Sequence, residues 1–142
     1  MAGANTTETF DCTTEQFFDI IEDYEKYAQF IPEVKSTRIL EDQGARKLVE
    51  FEVSLIKSIK YRLWLEADRP NSIRWTLESG DLFKKQTGSW ELSEAGGKTQ
   101  AVYSLEVAFG MFVPGAMTKK VVEVNLPQMM DAYRKRVREL YG

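Results

Sequence analysis

The chain has 142 residues, of which 43% are apolar and 29% charged, with a net charge of −3; this is the makeup of a globular protein of one domain's size, and its acidity speaks against a mainly electrostatic DNA binder. It contains no histidine, which excludes Ser–His and Cys–His nucleophile pairs and His-ligated zinc or haem. Its single cysteine, Cys12, excludes an intrachain disulfide and a thiolate metal site within one chain, so any catalysis would rest on Asp, Glu, Lys, Arg or Tyr.

The opening residues MAGANTTETF lack the basic start and apolar run of a secretory signal. No apolar stretch approaches the roughly 20 residues that span a bilayer. The expected location is therefore cytoplasmic, with peripheral contact at the inner membrane left open. There is no internal repeat or linker, and residues 1–142 read as a single domain.

Thr6–Cys12 suits a short strand. Thr13 or Thr14 suits a helix N-cap, with Glu15 and Gln16 in the first turn to complement the helix dipole. Phe17, Phe18, Ile20, Ile21, Tyr24, Tyr27, Phe30 and Ile31 recur at helical spacing until Pro32 ends the run. One helix fits this pattern, and so do two short ones on either side of Asp23–Glu25.

From Val34 to Phe109 the period changes to two. Val49, Phe51 and Val53 alternate with Glu50, Glu52 and Ser54. Tyr61, Leu63 and Leu65 alternate with Lys60, Arg62 and Glu66, although Trp64 sits on the polar face. Ile73, Trp75 and Leu77 alternate with Ser72, Arg74 and Glu78. Ala101, Tyr103, Leu105 and Val107 alternate with Gln100, Ser104 and Glu106. Turn signals separate the runs at residues 41–44, 56–58, 68–71, 79–81 and 94–98, and Lys84 and Lys85 read as an exposed turn. The pattern predicts an antiparallel meander with one buried face.

Residues 108–117, AFGMFVPGAM, carry core composition and loop punctuation together. Helical spacing then returns at Met117, Val121, Val124, Met130, Tyr133, Val137 and Leu140. Pro127 removes one backbone hydrogen bond, so a kink or break is expected just before it. The order is strand, helix pair, six strands, long helix: an α+β layout in which a curved sheet grips the last helix.

That order and three local patterns resemble the START-like (SRPBCC) superfamily, the polyketide cyclase/dehydrase and lipid transport type, with its helix-grip fold. The patterns are YEKYAQFIPEVKSTRIL (24–40), DLFKKQTGSWEL (81–92) and VAFGMFVPGAM (107–117). Within the superfamily the chain is most similar to the group of coenzyme Q-binding Coq10 proteins and bacterial RatA proteins. The resemblance implies a cavity between the concave sheet face and the last helix, for lipids, quinones, sterols or polyketides. No cofactor is expected. Coq10 proteins suggest a quinone-binding or chaperone role without chemistry, RatA proteins a factor that binds the large ribosomal subunit, and other members polyketide cyclases.

The candidate ligand-binding residues are the inward aromatics Phe51, Trp75, Trp90 and Tyr103, and their aliphatic neighbours Val53, Leu63, Leu77, Leu105 and Val107. Met117, Val121 and Val124 are the candidate helix wall. Met111, Phe112 and Val113 either tuck under the last helix as core or form a flap that meets the ligand or a membrane surface. Lys119 and Lys120, with the cluster Arg134, Lys135, Arg136 and Arg138, are either a solvated helix end or a contact for anionic lipid or ribosomal RNA. The inward strand positions hold no Asp, Glu, Lys or Arg, and Tyr103 is their one ionisable candidate. Arg38 and Arg62 are the nearest other groups, without a visible partner. An enzyme is not expected.

Overall fold

The computed structural model describes residues 2–54, 57–111 and 113–142. Strand β1 (Ala2–Phe10) begins four residues earlier than the sequence pattern predicts and stops short of Cys12. Its long edge pairs with the last strand from Ala2↔Val107 to Phe10↔Thr99, and that partner extends the polar start that lacked a pattern of its own.

Helix α1 (Thr14–Glu22) opens on Thr13. The Thr13 hydroxyl accepts from the Gln16 amide at 3.1 Å, and the Gln16 side chain accepts from the Thr13 amide at 3.0 Å. This reciprocal capping box satisfies two backbone donors that have no intrahelical partner. Thr13→Ala is expected to cost about 1 kcal/mol, measured as a lower urea midpoint with an unchanged slope. The helix ends at Asp23, and a 3-10 helix follows over Tyr24–Gln29, so the run is two short helices.

Strands β2 (Val34–Asp42), β3 (Arg46–Ser54), β4 (Ser58–Asp68), β5 (Ser72–Gly80), β6 (Phe83–Ala95) and β7 (Lys98–Phe109) follow. They form one seven-stranded curved sheet in the order β1-β7-β6-β5-β4-β3-β2, with every neighbouring pair antiparallel. At the tight β6–β7 turn Gly96 and Gly97 have φ of 60° and 82°, a region costly for residues with a Cβ. Trp64 stays on the outer face, where the Arg46 guanidinium stacks 3.7 Å from its ring centre. Lys84 and Lys85 lie inside β6 rather than in a turn, and the pairing slips between Phe83 and Lys85.

The C-terminal helical segment comprises α2 (Gly115–Lys120), a π-helical stretch (Val121–Asn125) and α3 (Leu126–Tyr141). Pro127 does not break it. Instead the Leu126 amide donates to the Val121 carbonyl, five residues back. Widening the turn is how the helix passes a residue that has no N–H to give.

The core joins all three layers. Phe17 of α1 stacks on Phe10 of β1 at 4.2 Å between ring centres and meets Trp90 of β6 edge-on at 5.4 Å. Tyr133 of α3 meets Trp90 at 5.3 Å, so the last helix is anchored across the sheet by rings. Such aromatic pairs contribute roughly 0.5–1.5 kcal/mol beyond their burial.

Candidate functional site: a cavity between sheet and C-terminal helix

Where the sheet curves away from the C-terminal segment, two adjoining cavities remain, of about 130 and 110 Å³. The first lies under the π-helical stretch. Val121, Asn125, Leu126 and Met129 form its helical wall, and Val53, Tyr61, Phe83, Leu105 and Val107 its sheet wall. The second reaches deeper, against Phe51, Leu63, Trp75, Trp90 and Tyr133. Ile31, Val34, Tyr61, Gln86, Tyr103 and Met129 border both. Each space is below the roughly 300 Å³ of a drug-sized ligand site. A ligand of that size would need the two joined, and the flexible thioether chain of Met129 lies on their common border.

Nine of the twelve residues predicted to face a ligand line these cavities: Phe51, Val53, Leu63, Trp75, Trp90, Tyr103, Leu105, Val107 and Val121. Three do not. Leu77 is half-buried, packed beside the core after the pairing slips between Arg62 and Leu63. Met117 is buried but borders neither space. Val124 is 43% exposed, because it lies three residues after Val121 within the widened π turn. A turn of more than four residues carries that position off the inner face and leaves Asn125, four residues on, facing inward.

The polar groups at the cavities are Glu33, Gln86 and Asn125, none of which is among the residues predicted to face a ligand. Four buried side-chain atoms have no hydrogen-bond partner among the described residues: Glu33 Oε2, Trp75 Nε1, Gln86 Oε1 and Asn125 Oδ1. All four belong to residues that line the cavities. A buried polar group without a partner costs about 1–3 kcal/mol, so native proteins keep few. Here all four lie on residues that border two adjoining cavities with largely apolar walls, and a ligand site pairs such walls with a few orienting contacts.

The buried tyrosines do not offer base chemistry. Burial holds the phenols of Tyr61, Tyr103 and Tyr133 well above their ordinary range, so they stay neutral. The Tyr27 hydroxyl donates to the Ile21 carbonyl. The Cys12 thiol is pushed up to about 11, first by burial, which leaves little of the nucleophilic thiolate at neutral pH. Arg38 and Arg62 have a partner after all. Both pair with Glu50, at 3.2 and 3.1 Å, on the outer face of the sheet.

Met111 is 90% exposed and Val113 half-buried, and neither lines a cavity; Phe112 lies outside the described residues. Met111 is therefore not core. The basic cluster is divided. Arg134 pairs with Glu8 and sits over the Phe10 ring, while Arg136 bonds Gln29 at 3.3 Å and sits over the Phe30 ring. These two arginines clamp α3 to the rest of the fold. Lys135 and Arg138 are exposed, as are Lys119, which pairs with Glu123 at 4.0 Å, and Lys120.

A sequence model of the polyketide cyclase/dehydrase and lipid transport family matches residues 11–134. The chain belongs to that family. Among solved structures, a START superfamily protein from Mycobacterium smegmatis is 27% identical with a TM-score of 0.87, over 97% of this chain and 98% of that one. The Zhui aromatase/cyclase from Streptomyces sp. R1128 shares the fold at 17% identity and a TM-score of 0.86, over 97% of this chain and 94% of that one. A hereditary hemochromatosis protein homolog from Ceratotherium simum is 31% identical over 70 residues, which is 49% of this chain and 20% of that protein's length. By its description, the family to which the chain belongs joins cyclase and dehydrase enzymes with lipid transport. Among the described residues no helix is long and apolar enough to cross a membrane.

Proposed function

We propose that this protein binds or carries a hydrophobic small molecule, a quinone or another lipid, in the cavity between sheet and C-terminal helix, without chemical conversion, as in the Coq10 group. The observation that carries this reading is that four unpartnered buried polar atoms belong to residues bordering two adjoining, otherwise largely apolar cavities. Apolar walls supply affinity at about 25 cal/mol per Å² buried, and the polar atoms set orientation. Acid–base turnover requires a titratable group within reach of the substrate and usually a second one opposite it. Among the described residues Glu33 is the one carboxylate bordering either space, and the phenols of Tyr61 and Tyr103 are held neutral. Exposed Met111 supports a transient contact with a membrane surface during transfer.

The ribosome-binding alternative draws on the basic end of α3. Its support is weak, because Arg134 and Arg136 are engaged within the fold.

Organic extraction of the purified protein followed by mass spectrometry tests the proposal. The expected result is a hydrophobic molecule at close to one equivalent. A protein that is empty as purified and takes up neither quinones nor lipids when offered them would overturn it.

A further inference from the structure

We infer that the ligand is a hydroxylated aromatic molecule: its hydroxyl donates a hydrogen bond to Glu33 Oε2 at one end of the joined cavity, and an oxygen at its other end accepts from Trp75 Nε1. This rests on the cavity reading above and narrows it. The four unpartnered atoms are not equivalent chemically. An ionised carboxylate only accepts and an indole N–H only donates. The amides of Gln86 and Asn125 each carry both an acceptor and donors, so they serve either kind of ligand group. Glu33 and Trp75 therefore set the polarity of the site.

Their positions set its direction. Glu33 borders the space under the π-helical stretch, Trp75 borders the deeper one, and Gln86 stands on the border of both. Rings stand among the aliphatic side chains of the deeper wall, including Phe51, Tyr61, Trp90 and Tyr103, and they suit flat aromatic surfaces stacked or edge-on. A fully oxidised quinone brings two acceptor carbonyls and no donor, so it would place oxygen against the Glu33 carboxylate. The reduced hydroquinone brings the donor that Glu33 lacks and a second hydroxyl oxygen to accept from Trp75. A quinone-type ligand is accordingly held in its hydroquinone form.

The test uses the whole chain and three small fluorescent probes: 2-naphthol, its methyl ether 2-methoxynaphthalene, and 2,6-dihydroxynaphthalene. In the unaltered protein 2-naphthol should bind about tenfold more tightly than the ether, the gain expected of one charge-assisted hydrogen bond. Glu33→Leu should bring 2-naphthol down to the level of the ether and leave the ether unchanged. Glu33→Gln, which keeps an acceptor oxygen, should retain part of the preference. The second hydroxyl of 2,6-dihydroxynaphthalene should add a further gain that Trp75→Phe removes. Equal binding of naphthol and ether by the unaltered protein would overturn the inference while leaving the cavity reading standing. Binding of none of the three would also overturn the inference, and uptake of quinones or lipids by the same protein would then show that the cavity reading survives it. The comparison in the unaltered protein decides the question even if a variant fails to fold.

Discussion

Val121→Trp is expected to abolish ligand capture while leaving the fold in place. Val121 stands on the helical wall, half-buried, with Asn125 and Leu126 beside it and an opening of about 130 Å³ in front of it. An indole in place of an isopropyl group fills much of that space. Val and Trp have similar helix propensities, and the residue is not part of the closed core, so the change in stability should stay below about 1 kcal/mol. Extracts of the variant should contain no bound molecule, and affinity for any captured ligand should fall by about 100-fold or more, the equivalent of roughly 3 kcal/mol. A folded variant that still carries its ligand would show that the helical wall has been wrongly placed.

Gly88→Ala should damage both stability and binding. Gly88 of β6 lies opposite Trp75 on β5 and Leu105 on β7. A Cβ there would stand 2.3 Å from Trp75 Cζ2 and 2.6 Å from the Ser104 carbonyl oxygen. Neither contact is tolerable, and the carbonyl belongs to a paired strand that cannot step back alone. The absence of a side chain at 88 is what lets the Trp75 indole lie across the sheet and border the deeper cavity. Adding a methyl group forces the indole out of its rotamer or spreads the strands, at a cost of about 1–3 kcal/mol, the usual range for overpacking. The urea midpoint should drop with an unchanged slope. The tryptophan emission should shift, and ligand affinity should fall in the fraction that folds. An alanine variant as stable as the unaltered protein would show that Trp75 moves aside at no cost.

The two sites differ in how plainly the sequence announces them. Gly88 is two residues before Trp90, in phase with the inward set Gln86, Gly88, Trp90 and Leu92. Read backwards from Trp90, the alternation of β6 places Gln86 inside, although Lys84 and Lys85 beside it look like a turn. Asn125 was legible in the same way, four residues after Val121 and four before Met129 on one helical face. Glu33 had no such signal. It lies between Pro32 and the first residue of β2, outside any periodic run, and it borders a cavity that the C-terminal segment helps to line.

What the sequence determined by itself was the order of elements, the inward face of most strands and the reach of the last helix. These follow from local periodicity, because a side chain's face is set by its place in a strand or helix. The capping box at Thr13 belongs to the same class, since both partners lie within four residues. Tertiary structure alone decided where the apolar faces fail to close. Val124 turned outward because a π turn absorbed Pro127, and Arg134 was drawn to Glu8 of β1 rather than left at a free basic surface. The cavities and their four unpartnered atoms are properties of a gap between elements distant in sequence. A gap depends on how closely curved layers can pack, and no local pattern of residues carries that distance.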